Sequence, residues 1–474
     1  RGTSEGEFKL FEHEIEDGFE TVNWAAALPQ SSGAVGMYGF SYQGMTQLYA
    51  AMKRPSALKA ICPAMLAADL YADWAYEGGA FCLFANLGWA IQLAAETARL
   101  KGDEAAFLAL SNASKSLPLG DSIPARPLLM QQCADYDSFY QAWLDHPDAD
   151  DPYWRSLSPD LTELDLPMLH IGGWFDTYMR GTLHLYQSQS AKNSALQHLL
   201  VGVWAHLPWG RKVGAVDFGV EAISPVDRAQ VRWFDQFLKG IDASVLNDSP
   251  VQLFEMGTNQ WRAFSHFPTS QTPFYLTSSG LASIDSRDGK LSPQPSVLST
   301  DPLVHDPWRP VPALGGHASY PCGMFDRSAI DDRSDVLTYT SDLLESDLHL
   351  AGEIIVELYC SADQPSFDLC VVVSEVKPNG AVFNFAQGYR RIDQHIDCSE
   401  SPIRITVQPT CIRIAQGSAI RLSISGACFP AYPVNSGTGK LPGEAKAIAA
   451  QLITIALLSG NASPSRILLP ILSR

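Results

Sequence analysis

The segment Gly39-Phe40-Ser41-Tyr42-Gln43-Gly44 lies between a short apolar run, Val35 to Tyr38, and a helix-forming stretch, Met45 to Met52. A serine on a sharp strand-to-helix turn has its hydroxyl thrust clear of the backbone, and flanking glycines let strand and helix approach. The second glycine falls one place later than in the common G-x-S-x-G pattern, so the motif alone also fits an ordinary glycine-flanked turn. A hydroxyl is a weak nucleophile near neutral pH; it needs a base, and the base needs an orienting acid. On strand–helix sheets these partners follow the serine in the order acid, then histidine, each on a loop after a strand. Asp176 follows Met168 to Ile171 through Gly172-Gly173-Trp174-Phe175, and His206 follows Leu199 to Val203 through Trp204-Ala205. Order and placement together point to acyl transfer through a serine ester, although Asp176 also suits a simple turn. His170 inside a strand, His184 on a helix face, His198 at a strand start and His146 in an acidic turn read as structural.

The elements that must position these residues come in three regimes. Glu12 to Leu28 is an acidic helix, and strand–helix alternation up to about residue 65 implies an α/β layer with a parallel sheet. From 69 to 151 no strand pattern appears. Phe84 to Leu110 and Tyr136 to Leu144 look helical, so the block reads as a helical insertion. Alternation resumes and closes with a helix over Val226 to Leu238, whose Trp233, Phe234 and Phe237 share a face. Beyond 249 short alternating runs, such as Gly352 to Tyr359, Asp368 to Val373 and Ser418 to Ser425, separated by Pro/Gly turns imply a β-sandwich or jelly roll. The expected division is an α/β domain over 1–68 and 156–246, a helical cap over 69–155, and a jelly roll over 247–474.

Composition sets the outer bounds. A chain of 474 residues suggests about three domains, and 46% hydrophobic with 18% charged residues excludes a disordered or collagen-like chain. No apolar run reaches the ~18 residues of a membrane helix, so no membrane partner is expected. A net charge of −18 without a basic patch makes nucleic acid a poor partner. Nine cysteines without a CxxC pair or regular framework read as buried thiols in a reducing, cytoplasmic setting, and no Cys/His cluster has zinc-ligand spacing.

Taken together, these residues resemble the cocaine esterase-like serine hydrolases, related to Xaa-Pro dipeptidyl-peptidases and α-amino-acid ester hydrolases. The match runs along the whole chain: Arg1 to Phe8, the elbow within Val35 to Tyr49, Gly173-Trp174-Phe175-Asp176, Gly202 to His206, Asp335 to Ser341, and Ser425 to Gly439. The resemblance implies an α/β-hydrolase fold with an inserted helical cap and a C-terminal jelly roll. It implies Ser41 as nucleophile, His206 as general base, Asp176 as its partner, and an acyl-enzyme intermediate. The backbone N–H of Tyr42 would be an oxyanion donor, which suits charge developing in a dry site. No metal or organic cofactor is implied, and the partner is a small-molecule ester or amide; homo-oligomerisation is left open. Trp74 and Trp89 from the cap, Tyr178 after the acid, and Leu358 with Tyr359 from the jelly roll are the expected acyl-pocket residues.

Two departures shape the expectation. The family's second oxyanion donor is a tyrosine hydroxyl well upstream of the nucleophile, and only 40 residues precede Ser41. The first strands and that donor are therefore expected to lie outside this sequence, together with any signal peptide. Amine-requiring relatives carry extra carboxylates beside the acid, whereas Asp176 is followed here by Thr177-Tyr178-Met179-Arg180. Only Glu77 or Asp73 of the cap could replace them, and a buried ammonium without a counter-charge is costly. A neutral ester is thus expected over an α-amino ester or a dipeptide. The alternatives are an acylase or peptidase on the same triad, and an inert hydrolase part beside a ligand-binding jelly roll.

Overall fold

The structure is a computed structural model that describes residues 8–192, 194–393 and 398–472, without the side chains of 398–400. After helix α1 (Glu14–Ala26) come strand β1 (Val35–Phe40), helix α2 (Tyr42–Met52) and strand β2 (Leu58–Ala64). The cap then interrupts the sheet. Its first part is a π-helical turn, Tyr71–Ala75, followed by a hairpin of β3 (Tyr76–Glu77) and β4 (Ala80–Phe81).

This hairpin corrects the expectation of an uninterrupted helical insertion. Two-residue strands are too short to show alternation, and the turn is made by Gly78 and Gly79, both at positive φ. Gly78 is also where the cap meets the jelly roll: a Cβ there would lie 2.0 Å from the carbonyl oxygen of Tyr389.

The helices that follow are α3 (Leu83–Leu100), α4 (Glu104–Ala113), α5 (Leu128–Gln132), α6 (Tyr140–Asp145) and α7 (Pro152–Leu157). The helical run expected up to Leu110 is broken at Gly102, whose φ is +78°, and restarted by Asp103, whose carboxylate accepts from the N–H of Ala106. The start of α6 likewise lies later than expected, because Asp137 accepts from the N–H groups of Tyr140 and Gln141 and sets the boundary.

The sheet resumes with β5 (Met168–Phe175), α8 (Met179–Lys192), β6 (Gln197–Ala205), a small hairpin β7–β8 (Lys212–Val213 with Val216–Asp217) and α9 (Val226–Lys239). Every residue of β5 and β6 is buried, which is why both read as continuous apolar runs rather than alternating ones. Two further strands, β9 (Val251–Glu255) and β10 (Gln260–Phe264), complete a six-stranded sheet in the order β1-β2-β5-β6-β9-β10. All pairings are parallel except β9–β10.

Strands β9 and β10 thus extend this sheet past residue 247, where the jelly roll was expected to start. Leu199 pairs with Val251 in the six-stranded sheet, and Val251 to Glu255 is too short a run for its sequence to show which sheet it joins. The remaining strands, from Thr272–Thr277 to Arg466–Leu469, form an eleven-stranded all-β domain in which Leu348–Ala362 pairs antiparallel with Cys398–Ile414. No described helix is long and apolar enough to cross a membrane.

Parallel strands deliver their C-terminal ends to one edge of the sheet, where ligands collect in α/β folds. The loops after β1, β5 and β6 carry Ser41, Asp176 and His206, so this topology places them on the same edge.

Candidate active site

Ser41 stands between β1 and α2 with φ 62° and ψ −129°, a conformation that side chains other than glycine seldom adopt. The turn is held from below. The Ser41 N–H donates to the carbonyls of Ala64 and Met65 at the end of β2, and its own carbonyl accepts from Gly44 and Met45. A Cβ on Gly44 would lie 2.9 Å from the Ala64 carbonyl oxygen, which explains the displaced second glycine. Sequence reasoning missed Gln47: it donates to the carbonyls of Gly39 and Gln43 while its Oε1 accepts from the N–H of Cys62. Tyr42 is the first residue of α2, so its N–H has no intrahelical acceptor and lies at the positive end of the helix. Its side chain is anchored by donating its hydroxyl to Glu14 of α1, whose carboxyl is raised above the usual range by burial.

Asp176 has no solvent exposure, and each of its carboxylate oxygens is used. Oδ1 accepts from His206 Nδ1 at 2.7 Å, and Oδ2 accepts from the N–H of Tyr178 at 3.1 Å. With Nδ1–H committed, the neutral ring carries its lone pair at Nε2, the nitrogen a general base needs. The Asp176 loop is fastened from the other domain: Gln408 Nε2 donates to the carbonyls of Asp176 (2.7 Å) and Trp174 (3.3 Å). Nothing in the local pattern of Cys398–Ile414 marks Gln408, because its role is set by contact across 232 residues of chain. The His206 ring is packed edge-on by Phe40 and Tyr178, and its carbonyl accepts from Trp209 Nε1.

Ser41 and His206 line one cavity of about 270 Å³; the acid–base half of the set is hydrogen-bonded, and no Ser41–His206 bond is formed among the described contacts. Trp74, Trp89 and Tyr178 line it, with ring centroids of Trp74 4.2 Å from Tyr178 and 5.4 Å from Trp89. Leu358 and Tyr359 do not. Both lie within the long strand Leu348–Ala362, opposite Ile403 and Leu458, and Leu358 is fully buried in the jelly-roll core. The jelly-roll wall of the cavity is instead the loop 317–322, whose Tyr320 stacks on Phe84 of the cap. The loop is rich in turn residues and has no periodic pattern to reveal it, whereas strand edges do.

Both named cap carboxylates already have partners, although Glu77 Oε1 is buried without one. Glu77 Oε2 accepts from Arg180 Nη1 (2.7 Å), His317 Nε2 (2.9 Å) and the Tyr432 hydroxyl (2.5 Å). Burial opposes its charge, but the Arg180 cation and the His317 and Tyr432 bonds bring its carboxyl down to about 2. Asp73 Oδ2 accepts from the N–H groups of Ala68 and Asp69, and Oδ1 lies 2.8 Å from His184 Nδ1. Neither carboxylate lines the Ser41 cavity. His170 is a buried core residue bonded to Gln197, with burial pushing it down to about 4.

Against this geometry the comparisons are direct. The family model described as X-Pro dipeptidyl-peptidase (S15 family) matches residues 1–208, and that of the X-Pro dipeptidyl-peptidase C-terminal non-catalytic domain matches residues 244–467. The chain is 30% identical over 505 residues to cocaine esterase of Rhodococcus sp. (strain MB1 Bresler), covering 99% of this chain and 86% of that one. The chain belongs to the cocaine esterase-like serine hydrolases. An α-amino acid ester hydrolase structure superimposes with TM-score 0.79 at 22% identity, covering 99% of this chain and 81% of its own. An aminopeptidase from the marine sediment archaeon Thaumarchaeota archaeon gives TM-score 0.78 at 21% identity, with coverage of 97% and 80%. These two share the fold. Family membership makes this cocaine esterase-like chain a serine hydrolase acting on esters of small molecules.

Two outcomes follow from the geometry. Ser41→Gly removes the strained side chain and should stabilise the protein by about 1–2 kcal/mol, read as a higher unfolding midpoint, while abolishing hydrolysis. The Glu77 carboxyl is depressed in the folded state, so the stability it contributes is present above about 4.5 and is lost as pH falls toward about 2. Glu77→Gln should flatten the pH dependence of the unfolding midpoint across that window; an unchanged slope would count against the Glu77 cluster as its source.

Proposed function

We propose that the chain hydrolyses uncharged carboxylic esters through an acyl-enzyme, with Ser41 as nucleophile, His206 as base and Asp176 as its orienting partner. The observation that carries this is the 2.7 Å Asp176–His206 bond at the wall of the cavity holding Ser41 on its strained turn. Ser41 adds to the carbonyl carbon as His206 Nε2 takes its proton. The alkoxide that develops is met by the N–H of Tyr42, and the protonated imidazole passes its proton to the leaving alcohol. Water then attacks the acyl ester by the reverse route.

Substrate charge is argued from the cavity. No carboxylate is among its described lining residues, and the charges of Glu77 and Asp73 already face Arg180, His317 and His184. A substrate ammonium would find no free counter-charge and would forfeit its hydration. Amide hydrolysis on the same residues is the second reading, favoured by the dipeptidyl-peptidase family models that match both halves of the chain.

The test is a fluorophosphonate probe followed by paired substrates. Labelling should occur in the native chain and vanish in Ser41→Ala, and Asp176→Asn should lower kcat by roughly 10⁴. Esters lacking an α-ammonium should exceed their α-amino counterparts in kcat/KM. Absence of labelling would sink the enzyme mechanism, while a preference for α-amino esters or matched anilides would overturn the substrate assignment alone.

A further inference from the structure

One polar group in the cavity wall has no task in the proposed reaction. His317 is 2% exposed and belongs to the loop that closes the cavity from the jelly-roll side. The loop is held at its base, where Gly316 and Gly323 exchange backbone hydrogen bonds of 2.8 and 2.9 Å. Across its tip Cys322 Sγ donates to the Ser319 carbonyl. His317 Nε2 meets the Glu77 carboxylate at 2.9 Å. A carboxylate that stays ionised to about pH 2 only accepts, so the hydrogen of a neutral ring resides on Nε2 and the lone pair on Nδ1. Nδ1 has no hydrogen-bond partner among the described residues, and it is not among the sealed, unpaired atoms of the interior. Ser319 Oγ, two residues along and also in the cavity wall, is buried and unpartnered.

Gln92 and Thr177 also line the cavity, while the rings of Trp74, Trp89, Tyr178 and Phe84 provide flat walls for a planar group. A pocket of this kind fixes its ligand's orientation with very few polar groups, and each one left unpaired by the ligand lowers affinity. We propose that His317 is a specificity-determining residue whose Nδ1 accepts a hydrogen bond from a hydroxyl on an aromatic acyl group, so that the preferred substrates are esters of hydroxyaryl acids. Glu77, held in turn by Arg180 and Tyr432, is the positioning residue that fixes the ring and its tautomer. This rests on Ser41 as nucleophile and on the cavity as the acyl site.

The experiment uses 4-nitrophenyl esters of 2-, 3- and 4-hydroxybenzoic acid, each against its fluoro analogue, which lacks the donor. The ratio of kcat/KM within each pair is taken separately for each protein, so a general loss of activity cancels. Two variants separate recognition from structure. His317→Gln can still donate to Glu77 through its amide but leaves no acceptor at the Nδ1 position; His317→Asn keeps an acceptor there and gives up the Glu77 bond. For at least one ring position the hydroxy/fluoro ratio should fall about tenfold in His317→Gln and be largely kept in His317→Asn. Equal ratios in the native chain and His317→Gln at all three positions would overturn the proposal. A second readout is independent of turnover: in Ser41→Ala, the matching hydroxybenzamide should bind about tenfold more tightly than the fluorobenzamide, and His317→Gln should erase the difference. If that binding preference is found while no ester is hydrolysed, the recognition stands and the nucleophile assignment falls. Hydrolysis without the preference gives the reverse.

Discussion

A carboxylate sealed from water at the junction of three structural parts makes the rest of this molecule possible. Glu77 enters on the β3–β4 hairpin of the cap, Arg180 on the helix that follows the acid loop, and His317 and Tyr432 from the jelly roll; all three partners converge on one oxygen. An isolated charge at such depth would cost several kcal/mol, and removing one partner of a buried pair typically costs about 3–5 kcal/mol. The cluster therefore has only one tolerable arrangement, with cap, catalytic sheet and jelly roll docked together. That arrangement closes the cavity over Ser41, because Trp74 precedes Glu77 by three residues and the loop bearing His317 is its opposite wall.

Packing and recognition share the same atoms at this junction. Phe11, 2% exposed and at φ 63°, sits among Tyr42, Tyr49, Trp74, Trp89 and Trp143, with ring centroids 5.1–6.4 Å away. Trp74 is thus a member of the cap's core and a wall of the cavity at once, and the half-buried Trp89 packs against that core from the cavity side. Aromatic pairs in such clusters add about 0.5–1.5 kcal/mol beyond their buried area, so reshaping the cavity through either tryptophan also loosens the cap.

What could be read in the sequence was whatever is written locally. The strand–turn–helix around Ser41 and the apolar runs before Asp176 and His206 carry their own periodicity, and chain order supplied the rest. What could not be read was decided at a distance. Val251–Glu255 is a five-residue run whose pairing with β6 is settled only in space, and the hairpin at Gly78 is too short to show any pattern. Leu358 and Tyr359 were expected in the cavity because the family resemblance matched them there by position; the residues that reach it, Ser319 and Tyr320, belong to a loop whose course depends on glycine bridges and neighbouring domains. Gln47 and Gln408 were silent for the same reason, since a glutamine announces nothing until its partners are known.

The Gln408 contact has a temporal consequence. When His206 leaves the ribosome, every member of the proposed triad has been made, but the residue that ties down the Asp176 loop lies about two hundred positions further along the chain. During synthesis the Asp176 loop lacks this fastening until the strand Cys398–Ile414 has been made. A domain described in its family model as non-catalytic thereby supplies the fastening of the loop that carries Asp176.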